Sequence, residues 1–307
     1  MMQHDGVALA LQGGGVHGAY AWGVLDRLLE DGLGVGRVSG VSSGALLATM
    51  LVQGLVKGGR PGARREMRRL WDKVSAVHAL SPLQNGPLER WLWGSDLSNS
   101  LLWQGVETAM RLFSPAQFNP FGHNPLRGVI AELLDLDALH HRDAIALNVS
   151  ATDVETGEAV QWHNEEISID RLMASCCLPF VFHAVEIRGR HYWDGGYSGN
   201  PPLKPLLQPE PPADLVLIRA QPGHRPGAPS TPAGILNRLN EIACNGVLQA
   251  ELAALPKSVR VTAYDADKVL GALPVSSKFN ADLGFLTQLF EAGRAAAMLQ
   301  PMTARKP

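Results

Sequence analysis

Three short patterns in this chain set reactive or anion-seeking groups beside glycine backbone. The first is Gly13-Gly14-Gly15-Val16-His17-Gly18, which follows an apolar run and opens a helix-like segment. Consecutive glycines let successive backbone N–H groups converge on one point, and a helix N-terminus adds positive potential there, so the loop suits an anion. That anion would be a phosphate or the oxyanion of a tetrahedral intermediate; a plain tight turn is the third reading. The segment also satisfies G-x-G-x-x-G, so a dinucleotide-binding oxidoreductase using Gly13–Gly18 stands as an alternative. Such a site wants an acidic residue at the end of the second strand to hold ribose hydroxyls. Here that strand ends in Val38-Ser39-Gly40, without one.

The second pattern takes that strand end: Gly40-Val41-Ser42-Ser43-Gly44, a G-x-S-x-G elbow between a strand and an apolar helix. Its small flanking residues let strand and helix backbones pass closely while the turn lifts the serine hydroxyl above the sheet. Ser42 rather than Ser43 is the candidate nucleophile, because only Ser42 has glycine two residues away on both sides. A serine needs a base. The α/β-hydrolase order would supply an acid and then a late histidine, but the last histidine is His224 and residues 259–307 contain none. His123, His163, His183 and His191 fall in no convincing catalytic loop, so an ordinary triad is disfavoured. The third pattern, Tyr192-Trp193-Asp194-Gly195-Gly196-Tyr197, offers a carboxylate instead. Asp194 ends one arm of an expected hairpin, 185–187 with 191–193, and two glycines leave it uncrowded. Alone it reads as a common Asp-Gly turn. Together the three patterns read as an anion loop, a serine elbow and a carboxylate, a Ser–Asp dyad.

The elements that must position these residues alternate between strand-like and helix-like runs, the pattern of an α/β fold with a largely parallel sheet. Strands are expected near 7–12, 36–40, 144–152, 215–219 and 259–264, with helices over 20–30, 45–56, 63–77, 126–134, 235–255 and 281–299. Two stretches break the rhythm. Residues 78–125 hold Trp91, Trp93, Trp103, Phe113, Phe118 and Phe121 among Pro, Gly and Asn, which suggests a lid over an apolar pocket or an ordinary packed excursion. Residues 209–232 are proline-rich and read most simply as a surface loop. There is no internal repeat and no clear boundary, so a single domain is expected: a catalytic core over 6–205, completed by strands and helices over 206–307.

Composition narrows the classes further. With 307 residues, 46% hydrophobic, 18% charged and net charge −2, the chain has ample apolar content for a large core and is not globally disordered. Twenty-seven basic against 29 acidic residues leave no basic excess of the kind nucleic acid demands. Three cysteines, two of them adjacent (Cys176, Cys177), make no disulfide framework and read as buried residues of a reducing compartment. The N-terminus lacks a basic region and a signal-peptide core, and no apolar stretch reaches the roughly 18–20 residues of a membrane span. A cytoplasmic location is the default, with peripheral membrane contact left open.

In content and order the three blocks resemble the patatin-like phospholipases, whose diagnostic motifs are G-G-G-x-x-G, G-x-S-x-G and D-G-[GA]. The similarity is specific over about residues 6–205. Softer matches are Asn148–Glu158, Ala174–Pro179, Gln117–Arg127 and Gly196–Leu203, the last two similar to a bacterial branch, some of whose members are exported without a cleavable signal. The resemblance implies a three-layer α/β fold and a lipid acyl hydrolase of phospholipase A or lipase type. Ser42 would attack the ester, Asp194 would take its proton, and the amides of Gly13, Gly14 and Gly15 would hold the oxyanion. Gly40 and Gly44 would frame the elbow, with His17, Gly18, Gly195 and Gly196 supporting the motifs. Water would then release the acyl-enzyme. No cofactor or metal is implied, since glycine amides take a cation's place. The family commonly carries Arg or Lys where His17 stands, so charge at the loop is expected to depend on pH. An esterase, thioesterase or hydroxyalkanoate depolymerase would use the same dyad. The expected partner is a lipid or other acyl ester.

Overall fold

A computed structural model describes residues 6–81, 84 and 96–301. Its centre is an eight-stranded sheet: β1 (Val7–Leu11), β2 (Val35–Gly40), β3 (Ala146–Asp153), β4 (Ala159–His163), β5 (Val185–Ile187), β6 (Arg190–Asp194), β7 (Asp214–Ile218) and β8 (Arg260–Tyr264). β3-β2-β1-β7-β8 are parallel neighbours, while β4, β6 and β5 join antiparallel. Strands covered on both faces should read as near-continuous apolar runs, as VALAL and DLVLI do. Period-two alternation then divides β1. Leu9 and Leu11 join the larger core, while Ala8 and Ala10 join a smaller one with Leu203, Leu206, Leu215, Leu217 and Leu248.

Helices α1 (Gly18–Glu30), α2 (Ser43–His78), α3 (Leu101–Leu112), α4 (Leu126–Leu133), α5 (Ile169–Ser175), α6 (Pro232–Ala253) and α7 (Leu283–Leu299) flank the sheet, with three one-turn helices between them. This is the α/β arrangement with a largely parallel sheet that the patterning implies, and the three layers that the resemblance adds, in one domain. Some local expectations change. The two helices expected over 45–56 and 63–77 are one long element, bent at Gly58-Gly59, where Gly59 takes φ 58°. β4 and α5 were not legible, being short and weakly periodic. Of the aromatic excursion, α3 is described; Trp91 and Trp93 lie outside the described residues.

One feature of the register governs the site. β4 pairs with β3 at residues 148–152, so β2 and β6 must both take its other edge. β2 covers Ala146 to Val149 and ends with Gly40 opposite Val149; β6 runs the other way and ends with Asp194 opposite Ala151. Two strand ends from distant parts of the chain thus meet head to head on one edge. The turn after Gly40 and the carboxylate of Asp194 are brought together by main-chain pairing.

Candidate active site

At the end of β2 the chain reverses into α2 through Ser42, whose φ of 55° is one of two positive values among the described non-glycine residues. That conformation costs of order 1–3 kcal/mol for a residue with a Cβ. The surroundings hold it: the Ser42 N–H donates to Ser175 Oγ at 3.0 Å, and Gly44 N–H and Ala45 N–H close on the carbonyls of Val41 and Ser42. A Cβ on Gly40 would lie 2.5 Å from the Gly44 carbonyl, and one on Gly44 2.3 Å from that of Leu11, which is why both positions are glycine.

Asp194 is 5% exposed. Burial pushes its carboxyl up to about 6, against the opposing pull of the Gly196 N–H and of the nearby Ser42 hydroxyl. Gly196 N–H bonds Oδ1 at 2.8 Å, fixing the carboxylate from behind. Asp194 thus lies beside Ser42, its carboxyl lifted by burial toward the neutral range. Cys176, Cys177 and Cys244 are free, surround this carboxylate, and are pushed up as thiols by burial and by its charge.

The glycine loop stands directly over the serine. A Cβ on Gly13 would come 2.7 Å from Ser42 Cβ. Two of its three amides are already engaged: Gly13 N–H donates to Asn200 Oδ1 at 2.7 Å and Gly14 N–H to Ser43 Oγ at 3.1 Å. The Gly15 N–H has no partner among the described residues. Asn200 returns Nδ2 to the Gly13 carbonyl at 3.3 Å, and Gln12 binds Asn200, Ala220 and Gln221. Neither Asn200 nor Gln12 stood out in the sequence, although Asn200 lies in the Gly196–Leu203 match; no motif marks a side chain that clamps a loop from 187 residues away.

His17 departs from expectation. It is fully buried, with Nε2 2.8 Å from Ser277 Oγ. Ser277 spends its one proton on the Pro274 carbonyl at 2.6 Å, so Nε2 carries the hydrogen and Nδ1 is bare. Burial, then the charges of Lys278 and Arg225, push His17 down to about 3. The loop therefore gains no charge that switches near neutral pH. Gly18 and Gly195 pack against Ser43 and the Ser150 carbonyl, respectively.

Ser42, Asp194, Gly13, Gly14, Gly15 and Gly196 line one cavity of about 1020 Å³. Its walls include Trp103, Met110, Phe180 and Leu236, and none of its lining residues is a histidine. Two expectations shift here. Phe118 lies outside the cavity, half-exposed, and Trp103 of α3 supplies the aromatic wall. The proline-rich stretch is a surface loop, exposed over 226–232, that also rims the cavity, because Arg225 anchors it to the buried Glu241.

Residues 9–207 match the family model described as patatin-like phospholipase. The chain belongs to that family. Patatin-like phospholipases are hydrolases of lipid acyl esters. Similar solved structures include VipD from Legionella pneumophila, at 14% identity and TM-score 0.38, covering 94% of this chain and 67% of that one. ExoU, in the ExoU–SpcU complex of the Pseudomonas aeruginosa type III secretion system, is another, at 19% identity and TM-score 0.34. The match covers 95% of this chain, which spans 59% of the matched one. No curated protein sequence matches the chain. Among the described residues no helix of this patatin-like protein is long and apolar enough to cross a membrane.

Proposed function

We propose that this patatin-like protein cleaves carboxylic esters of lipids through a Ser42–Asp194 dyad and an acyl-enzyme. The observation that carries this reading is the meeting, in one cavity, of the strained Ser42 turn with a buried carboxylate whose affinity for protons is raised by its surroundings. As Ser42 Oγ attacks the ester carbonyl, its proton passes to Asp194. The negative charge arriving on the carbonyl oxygen is met by the free N–H of Gly15 and by that of Gly14, whose partner is a rotatable serine hydroxyl. Gly13 is committed to Asn200 and holds the loop in place. The protonated Asp194 then gives its proton to the leaving alkoxide, and a water activated by the same carboxylate releases the acid. The apolar walls favour an acyl chain, and the substrate is a phospholipid or acylglycerol presented at a lipid surface. Residues 6–205 supply the dyad, and residues 206–301 complete the cavity around it.

The test is labelling with a fluorophosphonate together with turnover of p-nitrophenyl esters of graded length. Labelling lost in Ser42→Ala, with turnover lost in both that variant and Asp194→Asn, is the expected result. Retained turnover in either variant overturns the dyad. A thioesterase or polyester depolymerase would show itself by preferring those substrates over lipid esters.

A further inference from the structure

The cavity that holds Ser42 and Asp194 is also lined by a group of ionisable residues that the proposed dyad does not use. All of it comes from residues 223–278, beyond the span that matches the family. Glu241 on α6 is fully buried, and Arg225 grips it with both arms, Nε to Oε2 at 2.8 Å and Nη2 to Oε1 at 2.9 Å. Arg225 Nη1 donates to the carbonyls of Gly271 and Leu273, so its guanidinium is almost fully committed. One bidentate pair would satisfy this carboxylate. Two more cations nevertheless approach it, Lys278 Nζ and Arg238 Nη1, each at 3.4 Å.

The surplus donors are countable. Lys278 has three N–H groups and two partners, Glu241 and Asn237 Oδ1 at 2.6 Å. Arg238 has five and spends its bonds on Glu241 and the Gly223 carbonyl, the latter at 3.3 Å. Arg225, Arg238, Lys278 and Asn237 all line the cavity, whose remaining acidic and basic lining groups are the mutually paired Glu107 and Arg111, and Asp194 itself. Three cations thus share one carboxylate in a wall largely removed from water, and an unneutralised excess of charge there is costly. Its reach is visible elsewhere: the cations pull Glu241 down to about 2 although its burial pushes the other way, and they help keep His17 neutral. The spacing to the dyad is set by α6. Cys244 donates to the Gly196 carbonyl at 2.9 Å beside Asp194, and Glu241, Arg238 and Asn237 lie three to seven residues back along the same helix. At 1.5 Å per residue that is ~5–10 Å, the scale of the gap between an ester carbonyl and the phosphate of a glycerophospholipid.

We propose that Lys278 and Arg238, backed by Arg225 on Glu241, form a phosphate subsite of this cavity, so that acyl esters bearing a phosphate near the scissile carbonyl are taken in preference to uncharged acylglycerols. The inference rests on the Ser42–Asp194 reading, which it deepens.

The experiment compares phosphatidylcholine with diacylglycerol of the same chains in identical mixed micelles, using the full chain. Ser42→Ala serves as control, and inorganic phosphate is tested as a competitive inhibitor of p-nitrophenyl ester hydrolysis. Wild type should favour phosphatidylcholine in kcat/KM by about tenfold or more, and Arg238→Gln should lose most of that ratio through KM. Arg238 is a quarter exposed and tolerates the change better than the less exposed Lys278, for which Lys278→Arg, keeping the charge, should keep the preference. Phosphate should inhibit wild type more strongly than Arg238→Gln. A Ser42-dependent activity with no phosphate preference, or a preference unchanged in folded Arg238→Gln, overturns the subsite and leaves the dyad standing. Phosphate inhibition that depends on Arg238, without preference for the phospholipid, overturns the headgroup assignment in favour of free phosphate. Hydrolysis retained in Ser42→Ala overturns the dyad instead.

Discussion

Ser42 holds a left-handed backbone angle that an ordinary turn residue would avoid, and Asp194 holds a charge where burial disfavours one. The proposed dyad accounts for both costs. If Asp194 acts as the base, kcat/KM for an uncharged ester rises with pH through a midpoint near about 6, the value to which burial lifts its carboxyl. The same shift makes a stability prediction. The folded state binds the Asp194 proton more tightly than the unfolded chain, so its contribution is favourable at low pH and is lost as pH rises from about 4 to about 6. Asp194→Asn should therefore be more stable than wild type at pH 8, by on the order of 2–3 kcal/mol, and no more stable at pH 3.5. Paired denaturation curves at the two pH values check this.

His17 tilts the other way. Its folded value is depressed to about 3, so the unfolded chain takes up a proton that the folded state refuses, and stability falls as pH drops below about 6.5. Between pH 4 and 6 the two residues oppose each other, and wild type shows little net slope from them. His17→Gln should leave the Asp194 slope uncompensated, so that stability falls as pH rises from about 4 to about 6, which a pH series of melting temperatures would reveal. At Gly13 geometry decides: a methyl group there would strike Ser42 Cβ and the Val41 carbonyl. Gly13→Ala should cost on the order of 100-fold in turnover with folding kept, since misplacement by an ångström is enough.

At the scale of elements, the head-to-head meeting of β2 and β6 on β3 places the dyad, while packing on the far face keeps the sheet still. α1 and α7 cross where Gly23 meets the Phe290 carbonyl and Gly293 meets that of Tyr20; a Cβ would sit at 1.9 Å and 2.1 Å. Gly23→Ala should destabilise the fold by roughly 1–3 kcal/mol or more through overpacking, measured by denaturant titration, without altering which esters are preferred. α3 acts on the cavity itself. Trp103 is buried against Phe279, with ring centroids 5.3 Å apart. Trp103→Ala should shift the preferred acyl-chain length, whereas Phe118→Ala should not, and graded p-nitrophenyl esters separate the two.

For the whole molecule, the family-matched span and the active fold are different things. β7 lies beside β1 at the middle of the sheet, β8 beside β7, and α7 packs on α1. A chain ending at residue 207 would expose the edge of β1 and one face of α1. It should be insoluble or molten and should take no fluorophosphonate label, although it contains Ser42 and Asp194. The cavity shows the same division of labour: Ser42, Asp194 and the glycine loop come from the family-matched span, and Arg225, Arg238 and Lys278 from the residues after it.

Much of this was legible from local pattern. The three glycine-flanked blocks, the alternation of elements and the placement of most strands are written in residue types, because turns, periodicity and close backbone approach act over a few residues. Fold class and the choice of Ser42 and Asp194 as candidates follow from that level. What only the tertiary structure decided depends on contacts between distant segments. These include the Asn200 clamp on Gly13, the neutral His17, the proline-rich stretch as a cavity wall, and the gathering of Arg225, Arg238 and Lys278 on Glu241. Burial and long-range charge set protonation, and neither leaves a periodic trace in a linear chain.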